Sequence, residues 1–221
     1  MANIDAEPIR LAPVAPARRC QIPVIQKILL GEPKQISTKF TDALRARRSA
    51  ENFGTISPED LSTWLYYAAS IQSVQTSDTN RQRRFVGSFG ALHPAHILLG
   101  TPEQRWFTYV SAEHSLGELS VHSEISSALR AKAMQFYCAE NATIVGLLCD
   151  VDLVNTYYGN ASDLVMRDAG VLLGHASLVA SSVEIAFRIL GATGSGLMER
   201  LVCNLPFTPL SVGMALVGAR A

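Results

Sequence analysis

Two stretches of the sequence have residue types and spacings that suit contact with a phosphate or a flat ligand. In Arg47-Arg48-Ser49, guanidinium groups would pair with phosphate oxygens and the serine hydroxyl would add a donor. The glycine-rich run at residues 191–196 permits close backbone approach to a flat ligand. Each has an ordinary alternative, since the first is also typical of a solvated helix end and the second of a helix C-terminus. The glycine run is not a dinucleotide fingerprint, because we predict that it follows a helix and not a strand.

Other chemically capable side chains lack the context of a site. His93 and His96 are separated by Pro94, which prevents a regular helix face, so a zinc site is not predicted. His175 lies among small and apolar residues and is interpreted as a hydrogen-bonded core residue. No serine has the GxSxG context of a hydrolase nucleophile elbow. Tyr158, followed by a glycine, either presents a phenol to a ligand pocket or fills space at a turn.

Composition indicates a cytoplasmic, oligomeric protein without a general affinity for polyanions. Among the 221 residues, 19 basic and 19 acidic side chains cancel, so neither nucleic acid nor a membrane is expected as a partner. Charged residues make up 17% of the chain, below the usual ~25%, which favours an oligomer that hides part of its surface. The 4 cysteines have no CxxC spacing, which fits a reducing cytoplasm. The N-terminal region lacks the pattern of a signal peptide.

The element that would position these residues is a long helix predicted over residues 162–190. Its apolar residues recur at close to the helical period, and small residues such as Gly170 and Gly174 occupy most other positions. A helix of this composition must be buried on most of its faces. Charges at Asp168 and Glu184 bound the apolar run and argue against a membrane span. We therefore predict the central helix of a soluble core, placed at a dimer interface.

The remaining predicted elements alternate between helices and strands. Ser57-Pro58 begins a helix with the signals of a side-chain cap and a proline at the first position. Further helices are predicted over residues 37–47 and 123–137, strands over 95–99, 105–110, 142–149 and 210–217, and a loop over 76–84. This order predicts an α+β fold, in which residues 1–35 form an extended N-terminal arm and residues 36–221 a single domain.

In order, these motifs resemble the FMN-dependent nitroreductase family, and most closely its SagB-type branch, which includes azoline dehydrogenases. The resemblance covers roughly residues 40–220 and depends on several short matches. These are Arg47-Arg48-Ser49 with Phe53 and the helix start at Ser57, the turn at residues 87–94, Tyr158-Gly159, Asp168-Ala169-Gly170, and the end strand from Pro209 to Gly218.

The resemblance implies a nitroreductase-like fold with a central, mostly antiparallel sheet flanked by helices. It also implies a homodimer with FMN between the subunits, NAD(P)H as electron donor, and a small-molecule or peptide substrate. The protein would position the cofactor, which carries hydride through its N5 atom. By position, the residues expected at FMN are Arg47, Arg48, Ser49, Ser88, Gly90, Ala91, Gly191, Gly194 and Arg220, and Tyr158 is the expected proton donor.

The sequence departs from the family pattern at two positions that bear on activity. Glu51 stands where the family has a cation near the pyrimidine edge of the flavin, and a carboxylate there would oppose the anionic reduced flavin. Tyr157 stands where the azoline dehydrogenases have a lysine. These departures leave open an alternative, in which the chain is a catalytically impaired family member that binds flavin or serves as a scaffold partner.

Overall fold

Helices and strands alternate along the chain in the computed structural model, which describes residues 7–12 and 19–221. The strands are β1 Ile9–Arg10, β2 Lys27–Leu29, β3 Ile71–Val74, β4 Gln82–Arg84, β5 Ala95–Gly100, β6 Trp106–Val110, β7 Ser115–Glu118, β8 Thr143–Asp150, β9 Tyr158–Gly159, β10 Ala186–Leu190 and β11 Pro209–Gly218. The helices are α1 Phe40–Ala46, α2 Pro58–Ala69, α3 Ser123–Phe136, α4 Val151–Tyr157, α5 Ser162–Ser182 and α6 Met198–Leu201.

A central antiparallel sheet organises these elements. Within the described residues, 7 strands pair in the order β10-β11-β8-β5-β6-β7-β2. Every neighbouring pair in this sheet is antiparallel, in agreement with the mostly antiparallel sheet that the resemblance implies. Two short antiparallel pairs, β1 with β9 and β3 with β4, lie outside it. The predicted α+β fold with a mostly antiparallel central sheet is therefore confirmed.

The two faces of the sheet bury separate hydrophobic clusters. Val145 and Leu147 of β8 pack in the cluster that includes α2 and α5, whereas Ile144 and Leu148 pack with α3 and α6. Successive side chains of a strand point to opposite faces, so a strand covered on both sides is apolar throughout. The continuous apolar run that predicts this strand is thus explained by helices on both faces.

Helix α5 lies at the centre of the first cluster but is shorter than predicted. It ends at Ser182, and Glu184 turns the chain with a φ of 59° before β10 begins. The predicted helix end at residue 190 is wrong. Ala186 and Leu190 are four residues apart, and both lie in the second cluster, on the same side of the strand. Because a four-residue spacing also fits one side of a strand, the helical pattern does not detect the change.

The cap of α2 is confirmed at atomic detail. The backbone N–H of Asp60 donates to Ser57 Oγ over 3.1 Å, and the Ser57 hydroxyl donates to Asp60 Oδ2 over 2.7 Å. Trp64 of α2 then donates its ring N–H to the carbonyl of Ala176 over 3.0 Å, which fixes α2 against α5. The helix is therefore held at its start and along its buried face.

Several smaller elements differ from the prediction. Residues 82–84 form β4, within the segment predicted as a loop, and α4, β2 and β7 were not predicted. In the predicted arm, β1 and β2 are short paired strands, and residues 1–6 and 13–18 lie outside the described residues. Among the described residues, none of the helices has the length and apolar content needed to cross a bilayer.

Candidate functional site

A cavity of about 280 Å³ opens between the C-terminal half of α5, the end of β11 and the segment after α1. Arg48 and Arg220, which are distant in sequence, both line it, together with the hydroxyl-bearing Ser177 and Ser181 of α5. Glu51 lines the same cavity. We call it the Arg48 cavity. It combines two guanidinium groups with the Ser177 hydroxyl, which is the chemistry that holds a phosphate, and Glu51 adds an opposing carboxylate.

Backbone contacts hold the Arg48 side chain and the residue that precedes Arg220. Arg48 Nη1 donates to the carbonyls of Arg45 and Arg47 over 2.7 and 2.9 Å, at the C-terminus of α1. Ser181 donates from its hydroxyl to the carbonyl of Ala43 over 2.9 Å, which docks α1 onto α5. Arg220 follows the bridge between Ala219 and Gly54.

A second set of contacts holds the segment after Arg48 against the sheet. The N–H of Ala50 donates to the carbonyl of Phe187 over 3.0 Å, and Arg188 Nε donates to the carbonyl of Ala50 over 2.7 Å. The Arg188 guanidinium lies 4.0 Å from the ring centroid of Tyr137, whose hydroxyl donates to the carbonyl of Glu51 over 2.6 Å. The sequence does not point to Arg188 or Tyr137, because their side chains donate to backbone carbonyls of another segment and neither residue belongs to a motif.

A separate cluster forms around the turn at Ser88. The hydroxyl of Ser88 donates to Asp168 Oδ2 over 3.1 Å, and the N–H of Phe89 donates to Asp168 Oδ1 over 3.2 Å. Gly90 and Ala91 then adopt φ values of 56° and 57°, in the left-handed region. Asp168, in the N-terminal half of α5, thereby fixes the start of this turn. Sequence reasoning placed it in a motif but not in the site.

Tyr158 belongs to this second cluster. A Cβ atom at Gly90 would lie 2.6 Å from the Tyr158 hydroxyl, so the glycine permits the close contact. The Tyr158 ring packs edge-on against Phe89 with centroids 5.5 Å apart. Arg81 Nη1 donates to the carbonyl of Gly90 over 2.6 Å and brings a positive charge to the turn. Ser88, Gly90, Ala91 and Tyr158 are thus neighbours in the structure. We call them, with Asp168 and Arg81, the Ser88 turn.

Burial gives the Ser88 turn a carboxyl group whose pKa lies close to neutral pH. Loss of solvent raises the pKa of Asp168 to about 6, although the hydrogen bonds from Ser88 and Phe89 act in the opposite direction. Burial and the nearby charge of Arg84 lower the pKa of His93 to about 3, so His93 is neutral at physiological pH. Asp168 is therefore the group of this cluster that can hold or release a proton near neutrality.

The remaining predicted site residues are not among those that line the Arg48 cavity. Arg47 and Ser49 do not line the Arg48 cavity, and neither do Gly191 and Gly194. Gly194 is buried with a φ of 80°, and a Cβ there would lie 2.9 Å from the sulfur of Met214. Its conformation thus serves packing against β11 in this chain.

The two clusters lie toward opposite ends of α5. Asp168 belongs to the Ser88 turn, and Ser181 lines the Arg48 cavity. At 1.5 Å of rise per residue, the two positions are about 20 Å apart along the helix.

No protein-family model matches the sequence, and no curated protein matches it either. Solved structures do match. A protein assigned as a nitroreductase from Ralstonia eutropha JMP134 is 15% identical, with a TM-score of 0.64 over 98% of this chain and 99% of that one. The Escherichia coli microcin synthetase McbBCD, in complex with a truncated pro-peptide, matches with 17% identity and a TM-score of 0.58 over 85% and 75%.

A third match has FMN bound. It is a protein assigned as a nitroreductase from Exiguobacterium sibiricum, with 14% identity and a TM-score of 0.53 over 85% of this chain and 90% of that one. At these identities the likeness concerns the fold, which the sheet order and the long helix α5 also define. The chain has the nitroreductase-like fold.

Proposed function

We propose that the protein is an FMN-dependent oxidoreductase that acts as a homodimer on a small-molecule or peptide substrate. The observation that carries this proposal is the Arg48 cavity. In it, two arginines predicted to contact the FMN phosphate, Arg48 and Arg220, come together with Ser177 and Ser181. The fold adds support, since FMN is bound in a solved protein that shares it.

The residues of the cavity fit the phosphate end of FMN. Both arginines are exposed, and their guanidinium groups suit a doubly charged phosphate. Ser177 and Ser181 line the cavity, and their hydroxyl oxygens lie on the same face of α5, four residues apart. Glu51 also lines the cavity, and its carboxylate weakens the positive field and opposes an anion.

The Ser88 turn is our candidate for the ring end of the cofactor, and it would come from the other subunit. Within one chain the turn lies about 20 Å along α5 from the Arg48 cavity. The outward face of α5 is exposed and either apolar or small at Met166, Gly170, Val171 and Gly174. A Cβ at Gly170 or Gly174 would meet nothing within 4 Å, so another helix could approach closely there. Two antiparallel α5 helices would bring the turn of one subunit to the Arg48 cavity of the other.

The chain's own groups would then orient the cofactor and manage protons. FMN, when bound, supplies hydride transfer. Tyr158 would donate a proton from the turn, and Asp168, with its pKa near 6, would hold the turn in place through Ser88 and Phe89. The substrate and the electron donor, for which we propose NAD(P)H, would enter from the open side of this turn.

A second candidate function is flavin binding without turnover, as a scaffold partner. Glu51 in the Arg48 cavity favours it. So does Tyr157, whose hydroxyl donates to Asp78 over 2.9 Å and accepts from Asn80 over 3.1 Å. This tyrosine supports the loop before β4, and the position therefore offers no free acid or base.

The first test is the visible absorption spectrum of protein purified without added cofactor. We expect the bands of an oxidised flavin, released on denaturation. Arg48→Gln should weaken FMN binding at least tenfold, because it removes a charge from the cavity. Arg45→Gln is the matched control, since Arg45 is exposed on α1 and does not line the cavity. A colourless protein that also fails to take up added FMN would overturn the proposal.

Turnover separates the two candidates. FMN-loaded protein that oxidises NAD(P)H when an electron acceptor is added would support the oxidoreductase. Loaded protein that transfers no electrons to any of a broad panel of acceptors would support the non-catalytic alternative.

A further inference from the structure

A second cavity, of about 100 Å³, lies between the segment at residues 19–24 and the sheet. Five cationic or potentially cationic side chains line it: Arg19, Lys27, Arg84, His93 and His96. Lys27 forms an exposed ion pair with Glu113 over 2.6 Å, so the charges considered below are those of the two arginines. We call it the Arg84 cavity. It shares no residue with the Arg48 cavity, and among the described residues no aspartate or glutamate lines it.

The two guanidinium groups of the Arg84 cavity are bonded only to neutral acceptors. Arg19 donates to the carbonyls of His93 and Asn80 over 3.0 and 2.9 Å, and also to the carbonyl of Leu92. Arg84 donates to the carbonyl of Ala69 over 3.2 Å and to Gln82 Oε1 over 2.6 Å. Within the described part of the chain neither arginine forms an ion pair, and the Nε atom of each is buried without an acceptor.

Among the residues that the structure describes, this arrangement leaves both guanidinium groups without a carboxylate in direct contact, in a poorly solvated place. Burial and repulsion from Arg19 lower the pKa of Arg84 to about 9, so it stays charged near neutral pH. Burial and the two arginines lower the pKa of His96 to about 3, and His93 behaves in the same way, so both rings are neutral. Asp150 and Asp168 act on Arg19 and Arg84 from a distance, without contact. A buried charge without a counter-ion is unfavourable, and a bound anion would relieve it.

One part of the remaining wall is apolar. It is formed by Ile22, Val24, Ala69, Ile71, Ala95 and Ile97, with the Tyr109 ring beside them. Gln21, Gln82, Thr108 and Ser111 add polar groups elsewhere in the lining. A ligand that fills this space would therefore combine one anionic group with a short apolar body, which a bare inorganic anion does not offer.

We propose that the Arg84 cavity binds a small organic carboxylate, with its carboxylate group at Arg19 and Arg84 and its apolar body against Ile97 and Ile71. Guanidinium groups match carboxylates in geometry and charge. The cavity shares Arg84, His93 and Gln82 with the open space beside the Ser88 turn, so a bound acid would lie next to that turn. The proposal does not depend on flavin binding.

Thermal denaturation and isothermal titration with isobutyrate and benzoate test this inference. We expect saturable binding with a rise in Tm, and no rise with the neutral amides isobutyramide and benzamide. Arg84→Gln should weaken the binding at least tenfold. Arg200→Gln is the control, because Arg200 is exposed and lines a different cavity.

A second variant covers the case in which Arg84→Gln does not fold. Ala112 is exposed and lines the Arg84 cavity, so it lies at the rim. Ala112→Trp should fill the entrance and abolish carboxylate binding while leaving the unliganded Tm unchanged. The inference is overturned if neither acid binds saturably, if phosphate and sulfate bind as tightly as the acids, or if Ala112→Trp binds them like the wild type.

Discussion

Asp168 connects the long helix to the turn that precedes β5, and it does so from a buried position. Its carboxylate accepts from both Ser88 and Phe89, yet burial still raises its pKa to about 6. The folded state therefore binds the proton more tightly than the unfolded chain does. The stabilisation from this carboxyl is fully present below about pH 4 and is lost as the pH rises through about 6.

Asp168→Asn should remove this pH dependence, because an amide does not titrate in this range, while its single oxygen can still accept from the N–H of Phe89. The difference in unfolding free energy, wild type minus variant, should fall by up to about 3 kcal/mol between pH 4 and pH 7. Urea unfolding of both proteins across this range measures it. A difference that does not change with pH would contradict the assignment.

Glu51→Gln should strengthen FMN binding if the Arg48 cavity holds the phosphate. The substitution removes the carboxylate that shares the cavity with Arg48 and Arg220. We expect affinity to rise about threefold to tenfold at low salt and less at high salt, since the effect is electrostatic and screened. Quenching of flavin fluorescence measures it. Glu140→Gln, at an exposed position outside the cavity, should leave affinity unchanged. Equal affinities for wild type and Glu51→Gln would argue against this phosphate site.

At the residue scale, the sequence identifies candidate charged and aromatic site residues better than it identifies the residues that hold them in position. Arg48, Arg220 and Tyr158 could be named because they belong to recognisable patterns. Arg188 could not, because it lies in a stretch with a helical pattern and acts on the carbonyl of Ala50. Nor could the pairing of Asp168 with Ser88, since nothing local in the sequence brings residues 80 positions apart together.

At the scale of elements, the cap of α2 provides a direct test of local sequence signals. Ser57→Ala removes the acceptor for the Asp60 N–H, a bond of 3.1 Å, and should lower the unfolding free energy by about 1 kcal/mol. Ser57→Thr, which keeps both the acceptor for the Asp60 N–H and the hydroxyl that donates to the Asp60 carboxylate, should restore most of the loss. Denaturant unfolding of the three proteins measures this. A loss as large in Ser57→Thr as in Ser57→Ala would show that the cap bond is not the cause.

Gly218, at the end of β11, tests how closely this strand packs against the segment that follows Arg48. A Cβ there would lie 2.6 Å from the carbonyl oxygen of Gly54, a backbone atom that cannot move aside cheaply. Gly218→Ala should lower the unfolding free energy by about 1–3 kcal/mol. Thermal denaturation measures it. Gly31→Ala is the control, since a Cβ at Gly31 meets nothing within 4 Å, and a similar loss there would contradict the argument.

Elements with strong local signals were predictable, and elements set by pairing were not. The helix after Ser57 has a cap and proline, and β8 is a continuous apolar run, so both follow from the sequence. By contrast, β10 is a strand because all of its residues pair with β11, which lies farther along the chain. The short strand β2 likewise depends on pairing with β7.

At the scale of the whole molecule, the exposed face of α5 makes the proposed dimer testable. Gly174→Leu adds a large side chain where a Cβ meets nothing within 4 Å, so the single chain should tolerate it. Sedimentation should give twice 23.9 kDa for the wild type and 23.9 kDa for the variant, with unchanged circular dichroism. Ala131→Leu, at an exposed position of α3, should stay dimeric. A monomeric wild type, or a dimeric Gly174→Leu, would contradict this arrangement.

The attachment of Ala50 to β10 has a consequence for the behaviour of the protein in concentrated solution. Among the described residues, β10 is the last strand on its side of the sheet. Ala50 lies along its outer edge, where the Ala50 N–H donates to the carbonyl of Phe187 and Arg188 Nε donates to the carbonyl of Ala50. An uncovered edge strand can pair with another molecule and begin aggregation. The segment that carries Arg48 and Glu51 therefore also shields the sheet from intermolecular strand addition. A ligand that holds this segment in place would act as a protective additive during purification and storage.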